Sequence, residues 1–514
     1  MREKKFYLDR LRQAFGKEKP LARMLRTPTG YYLYDTGTNK ILGCRKEVYL
    51  LLDNLLNKEF HHAFDDYLSH HGETRFIEAS QEIVEAMESE KILSAKKATR
   101  FGLSDHSRNL KDVLESEVQT INLEVTHVCN LRCVYCIYQE HFTEKRNYSP
   151  KEMSFDTASK AIRLLKDHSS GNDSVSIGIY GGEPLKKFSL IRESVRYAKE
   201  IFPGRQKIGF NVTTNATLVT PEVADFLIKE GFTVTVSLDG PREFHDRFRT
   251  DAKGNGSFDK TLQGLKLLSE KYNRSRSKKK GRLLINMVYT PPFNGEKLDT
   301  INRFFRGLEW LPENVHITSS YPADNSIPPG YAHQDGVEED KQLFDWAFEN
   351  YKTGFEKSSA VVRGQIEERF AKFIKRPVLT EPVDRYMLNG CCVPGQKKNY
   401  ITADGYIQVC EKMPGNCPPI GHVDTGFDFE TIERIYIREY AEKSLPVCSG
   451  CWGLRLCDVC YLYAFNEKGQ LDIDKKSRHC GSVMAHIEKS LCNFVTLLEE
   501  NPGKLDYLYH FDIK

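Results

Sequence analysis

Cysteine placement constrains this chain more than any other feature. Of its 14 cysteines, Cys129, Cys133 and Cys136 stand together and ten fall between Cys391 and Cys492, with none between Cys136 and Cys391. Metal or cluster ligation needs several thiolates at one point, and short spacings bring them there at small cost in loop entropy. Two separated groups therefore predict two metal-bearing regions. Structural disulfides are the weaker reading. The N-terminal run MREKKFYLDRLRQAFGKEKP lacks the apolar core of a signal peptide, which predicts a cytoplasmic location where thiols stay reduced. The net charge of +3 creates no global field for nucleic acid or an anionic membrane. No stretch approaches 18 apolar residues, so neither nucleic acid nor membrane is an expected partner.

At 514 residues the chain should hold roughly three or four domains of about 150 residues each. Residues 1–95 read as a small domain. Gly30–Asp35 is strand-like, Thr36–Asn39 a turn and Lys40–Leu42 a second strand, before helical patterns at Glu47–Asn57 and Ile77–Glu90. Residues 96–118 are polar and read as a linker. Within 119–330, strand runs at Thr120–Val125, Val175–Tyr180, Lys207–Thr213, Thr233–Leu238, Leu283–Tyr289 and Val315–Thr318 alternate with amphipathic helices. That alternation predicts an α/β fold built on a parallel sheet, most simply a partial (β/α)6 barrel. The basic run Asn273–Arg282 has no interleaved aromatics and reads as a solvated loop. Residues 331–390 read as a helical bridge, 391–482 as a cysteine-rich domain and 483–514 as a C-terminal tail.

The segment from Glu124 to Cys136 contains CxxxCxxC with an aromatic before the last cysteine. Three cysteines so spaced can bind three irons of a [4Fe-4S] cube and leave the fourth iron to a small molecule. A zinc loop would need a fourth ligand, for which His127 is a poor candidate at such close range. The loop follows the first barrel strand. The next three strands end in Tyr180-Gly181-Gly182-Glu183-Pro184, in Thr213-Thr214-Asn215-Ala216 and in Ser237-Leu238-Asp239-Gly240-Pro241. In a parallel barrel these ends share one mouth. The residue types suit a zwitterionic nucleoside. Gly181 and Gly182 permit close backbone approach, Glu183 can receive an ammonium, and Asn215, Ser237 and Asp239 can bind hydroxyls.

The cysteine triad, the Gly-Gly-Glu-Pro segment and the Ser-Leu-Asp-Gly-Pro segment followed by His245-Asp246 resemble the radical S-adenosylmethionine (SAM) superfamily over about 200 residues. The resemblance implies that the open iron binds SAM and that reduction of the cluster generates a 5′-deoxyadenosyl radical, with the protein supplying position and exclusion of water. An external electron donor of flavodoxin or ferredoxin type is implied as well. Arg249 and Asn286 are expected to touch SAM or substrate.

Farther on stand Cys391-Cys392, Cys410, the array Cys448-x2-Cys451-x5-Cys457-x2-Cys460, and Cys480. A zinc ribbon wants about 15–20 residues between its knuckles and five are present here; two separate zinc sites stay open. The array resembles the SPASM domain of radical SAM peptide-modifying enzymes. This implies auxiliary [4Fe-4S] clusters on Cys448, Cys451, Cys457 and Cys480, and on Cys392, Cys410 and Cys460, giving three clusters in all. The fourth ligand of the latter is Cys391, Cys417 or no protein residue. The family commonly has three residues before its last knuckle cysteine; here there are two, Asp458-Val459. Cys44 and Cys492 lie outside both patterns and read as ordinary buried thiols, and Trp452 as packing beside a cluster.

The N-terminal hairpin and helices resemble the leader-recognition element (RRE, PqqD-like) of ribosomal peptide biosynthesis, a winged-helix-like fold that takes a peptide leader as an added strand. Taken together, these resemblances imply a maturase that cross-links a precursor peptide, foremost by Cys thioether bonds of ranthipeptide or sactipeptide type. Carbon–carbon or ether cross-linking, formylglycine formation by an anaerobic sulfatase maturase, and a non-catalytic zinc protein are the alternatives. No general acid or base is identifiable among the many Asp, Glu and Tyr residues.

Overall fold

The computed structural model describes residues 2–510 except 102–108, 140–146, 203, 205, 278–280, 313–314, 323–326, 329–330, 332–335, 355–359, 383–385 and 389, and leaves out the side chains of 336–343. Part of the 96–118 segment and the centre of the basic run 273–282 thus lie outside the described residues.

The chain begins with a helix, Arg2–Phe15, followed by three short strands: β1 (Ala22–Arg26), β2 (Tyr31–Asp35) and β3 (Lys40–Cys44). They form an antiparallel sheet in the order β1-β2-β3. The β2–β3 turn is fastened by the buried Asp35, whose Oδ2 accepts the Thr38 N–H and hydroxyl, both at 2.8 Å. Helices Lys46–Asn57 and Phe60–Ser89 follow, the second broken at Gly72, whose φ of +79° only glycine adopts readily. Sequence periodicity anticipated β2, β3 and the helix from 47, but neither the first helix nor β1. The first helix buries only Leu11, Ala14 and Phe15, and β1 is made of good helix formers with no alternation.

All six barrel strands form where expected: β4 (Thr120–Thr126), β5 (Ser174–Gly181), β6 (Lys207–Thr214), β7 (Phe232–Ser237), β8 (Leu283–Val288) and β9 (His316–Ser320). Each pairs in parallel with the next. Helices Phe155–Asp167, Phe188–Ile201, Pro221–Lys229, Phe258–Arg274 and Gly295–Arg306 connect them. Ile121, Leu123, Val125, Val234, Val236 and Ile285 are nearly or wholly inaccessible, each worth about 1.5–3 kcal/mol of burial. The result is an α/β fold with a parallel-stranded sheet.

The sheet continues past β4. β10 (Tyr400–Ile401) pairs in parallel with β4, and β11 (Tyr406–Gln408), β12 (Gly421–His422) and β13 (Gly426–Phe427) extend it antiparallel. The order is β13-β12-β11-β10-β4-β5-β6-β7-β8-β9, so the second cysteine region is stitched to the strand that carries the first triad. At the far edge, helix Ala360–Ile374 lies so close to β9 that a Cβ on Gly364 would meet Ile317 O at 2.2 Å. A second core joins Leu25 and Tyr34 of the N-terminal sheet to Phe348, Ile366 and Phe370 and to Leu491 and Phe494 of helix Cys480–Glu500. The described part of the polar 96–118 segment is packed. Helix Leu110–Ser116 buries Leu110, Val113 and Leu114, and Ala98 N–H donates to Ser449 O (3.0 Å).

Candidate active site

β4 ends at Thr126, whose hydroxyl accepts the Val128 N–H (3.0 Å) and turns the backbone out of the sheet. The cysteine loop that follows is clamped on its other side. Arg132 N–H donates to Thr250 O (2.6 Å) and Val134 N–H to Phe248 O (2.8 Å). Cys129, Cys133 and Cys136 line a cavity of about 1200 Å³ together with Gly181, Gly182, Glu183, Asn215, Ser237, Arg249 and Asn286. Four strand ends do meet at one mouth. Pro184 and Asp239 are buried behind this lining.

Gly181 and Gly182 serve the loop directly. A Cβ on Gly181 (φ +137°) would lie 2.4 Å from Thr126 O, and one on Gly182 2.5 Å from Val128 O. The absent side chains let Gly182 N–H donate to Thr126 O (2.7 Å) and Glu183 N–H to Val128 O (3.0 Å). These close approaches seat the cysteine loop, and both glycines also line the cavity. Glu183 is buried, and its carboxylate accepts the Thr214 hydroxyl (2.7 Å) and the Leu185 and Asn215 N–H groups (3.0 and 2.8 Å). Burial raises its carboxyl above the ordinary range despite these donors. Asn215 Nδ2 donates to Asn130 Oδ1 (3.0 Å), and its Oδ1 accepts the Thr217 N–H (3.0 Å).

Asp239 occupies a different role from the hydroxyl contact expected of it. Its Oδ2 accepts Arg249 Nε (2.9 Å) and the Tyr135 hydroxyl, while its Oδ1 accepts Arg249 Nη2 (3.1 Å) and Val288 N–H (2.9 Å). Burial alone would raise this carboxyl; the Arg249 guanidinium outweighs it and holds the group below its usual value. Asp239 thus fixes Arg249, and it is Arg249 that reaches the cavity. Behind it His245, pushed down to about 4 by burial, is held neutral against Ser257 Oγ (3.0 Å).

The second cysteine group is electrostatically continuous, with Tyr440 near both Cys391 and Cys448. Cys451 senses the charges of Cys448 and Cys480, and Cys457 that of Cys451. Cys460 senses Cys392, while Cys391 and Cys410 both sense Cys460. Cys417 is buried beside Tyr436. Cys44 and Cys492 stand apart, raised by burial and near Glu82 and Glu488. Trp452 packs edge-on against Tyr34 of the N-terminal sheet, ring centroids 6.0 Å apart. The large cavity reaches this region through Glu411, Lys412, Leu462 and Tyr463, which flank Cys410 and Cys460.

Residues 123–305 match the Radical SAM superfamily. That segment is similar to radical SAM domains. A serine-type anaerobic sulfatase-maturating enzyme of Bacteroides thetaiotaomicron is 32% identical over 211 residues, 41% of this chain and 46% of that protein. The radical SAM cyclopropyl synthase TigE of Paramaledivibacter caminithermalis is 30% identical over 170 residues, 30% of this chain and 34% of TigE. The chain thus spans about a third to a half of the length of these curated relatives. The solved structure of native anSMEcpe with bound AdoMet has a TM-score of 0.54 at 18% identity, covering 76% of this chain and 99% of that one; the likeness is one of fold.

Within the matched segment the donor set fits an iron–sulfur cluster. Cys129 senses Cys136, and Cys133 senses both, so three thiols share one patch of cavity wall. Burial pushes Cys129 up to about 12 and raises Cys133 and Cys136, so loading the site must release protons. Among the described residues no three His, Cys, Asp or Glu side chains are gathered tightly enough for a single ion; a cube spreads its sulfurs wider than one zinc, with Zn–S near about 2.3 Å. Sequence reasoning noted Tyr135 only as the aromatic before Cys136 and assigned no role to Asn130 or Glu124. The buried Glu124 accepts the Tyr138 and Tyr400 hydroxyls (2.6 and 2.8 Å) and Ala403 N–H (3.2 Å), tying the triad loop to β10. A glutamate amid the apolar run of β4 was the available signal. No helix among the described residues is long and apolar enough to cross a membrane.

Proposed function

We propose that this chain is a radical SAM enzyme that cross-links a ribosomally made precursor peptide, joining a Cys sulfur to a carbon of another residue. The observation that carries the reading is the continuity of one cavity from Cys129, Cys133 and Cys136 to the residues beside Cys410 and Cys460. A peptide segment lying in it would place an acceptor carbon near the triad and a thiol near the second group. In this reading the triad holds the SAM-binding cluster, Cys392, Cys410 and Cys460 one auxiliary cluster, and Cys448, Cys451, Cys457 and Cys480 the other. When bound, these groups supply one-electron hydrogen abstraction and an outlet for an electron. The balance would be closed by one electron supplied from an external redox protein to cleave bound SAM to methionine and 5′-deoxyadenosine, the latter carrying the C–H hydrogen. The S–H hydrogen would leave as a proton, and its electron would return to the redox protein.

The chain's own residues bind, orient and exclude water. Glu183 fixes the ends of β5 and β6, Asn215 couples β6 to the cysteine loop through Asn130, and Ser237 and Asn286 offer polar contacts on the cavity wall. Tyr135, Tyr138, Tyr148 and Tyr180 line the wall nearest the triad and limit water there. The N-terminal sheet, with β3 paired to β2, would take the leader as a further strand. Co-expression with a cysteine-rich precursor encoded nearby tests the reading. The expected product has lost two hydrogens per cross-link and resists thiol alkylation; a product with free thiols contradicts thioether formation.

A second reading, a sulfatase maturase that oxidises a Cys or Ser to formylglycine, is favoured by the similarity to sulfatase-maturating enzymes over 41% of this chain. Incubation with a short sulfatase peptide and a hydrazide probe separates the two, because only this reading yields an aldehyde.

A further inference from the structure

Lys476 lies on the short helix Ile473–Ser477 and is 2% exposed. Its Nζ donates to Ser444 Oγ (3.1 Å) and to Cys448 Sγ (3.5 Å), and it sits 4.5 Å from the centre of the Tyr440 ring. Among the described residues its hydrogen-bond partners are thus a hydroxyl and a thiol, with no carboxylate. A buried ammonium is costly unless an anion faces it. Protonated thiols carry no such charge, whereas metal-bound thiolates do. The candidates surround it: Cys451, Cys457 and Cys480 all feel its field, as does Cys391 from the neighbouring group.

We propose that Lys476 is the buried counter-cation of the metal–thiolate centre at Cys448, Cys451, Cys457 and Cys480, where its hydrogen bond to the Cys448 sulfur raises the reduction potential of that centre. The inference rests on the reading that these cysteines hold an iron–sulfur cube. Cluster potentials respond to net charge and to hydrogen bonds on sulfur. A fixed positive charge stabilises the more negative, reduced form, so this centre accepts an electron more readily than it would without Lys476. Lys476 is a positioning and tuning residue, remote from the reacting atoms.

The test uses the full chain with Cys129, Cys133 and Cys136 replaced by Ala, so that only the auxiliary centres report, and needs no substrate. Iron content comes first, about eight per chain for two cubes, followed by redox titration monitored by electron paramagnetic resonance. Lys476→Met should disfavour reduction of one centre at least tenfold, about 59 mV for a one-electron couple, while Lys476→Arg stays within about threefold of the parent on the same scale. If the Met variant drops to about four irons and the Arg variant keeps about eight, the counter-charge role is equally supported. An unchanged potential in the Met variant, equal shifts in both variants, or equal iron loss in both overturns it. An iron-free parent overturns it together with the auxiliary-cluster reading. Peptide cross-linking by the unaltered enzyme is judged separately.

Discussion

The two cysteine regions are built by opposite means. Cys129, Cys133 and Cys136 lie on a loop whose entry is fixed by the end of a seven-residue strand, whose flank is sealed by two glycines and whose exit is clamped at Phe248 and Thr250. Of the C-terminal cysteines, Cys448 ends the helix Tyr440–Cys448, Cys480 opens the helix Cys480–Glu500 and the rest of the array lies in turns and coil, with Lys476 and Ser444 packed beside Cys448. The first region hangs from one strand end by backbone contacts, whereas the second gathers cysteines from helix ends and turns far apart in sequence.

The largest effect expected from this contrast is at Cys133. Cys133→Ser should abolish SAM cleavage, by at least about 10³-fold, and leave about eight of about twelve irons; loss of all iron would show that the two regions do not load independently. Next is Gly182→Ala. Its methyl would meet Val128 O at 2.5 Å, backbone against backbone, and should cost about 10²-fold in activity through displacement of the loop. Gly450→Ala, with nothing within 4 Å of the added Cβ, should stay within about 0.5 kcal/mol of the parent in stability. Comparable losses in both glycine variants would erase the distinction.

Asp239→Asn leaves the Arg249 guanidinium buried without its counter-charge and should destabilise the chain by about 3–5 kcal/mol in urea unfolding. Because the folded carboxyl is held below its ordinary value, the contribution of the pair is complete above the unfolded carboxylate range and fades as pH falls through the lowered folded value. Glu183 has the opposite sign. Its raised carboxyl costs stability as pH climbs above the unfolded value, and Glu183→Gln should flatten that limb. A smaller loss than at Asp239 is expected from Glu124→Gln, which weakens the link between Tyr138 and Tyr400. About 1–3 kcal/mol and faster amide exchange at β10 and β11 are expected. Unchanged exchange there would show that the regions are joined by sheet pairing alone.

The parallel sheet was legible because each of its strands buries a β-branched or aliphatic run, as in Ile121-x-Leu123-x-Val125, between helices with a clear apolar face. The triad and its neighbours were legible because strand ends of a parallel sheet converge. β10–β13 were not, since two-residue strands have no periodicity to read and their place beside β4 is set by long-range pairing. Asp239 was anticipated as a ligand contact. Its actual bond to Arg249, ten residues on, depends on how the helix Arg242–Phe248 folds the chain back, which spacing alone does not reveal. The contact of Gly181 and Gly182 with the loop of the neighbouring strand depends on β4–β5 pairing and was not legible from the motif alone.

The central claim is that three thiols on the loop after β4 hold a cluster able to grip SAM. Anaerobically reconstituted enzyme, given SAM and a strong reductant, should release 5′-deoxyadenosine, and Cys133→Ser should release none. Silence from the unaltered enzyme, or equal release from both proteins, would contradict it.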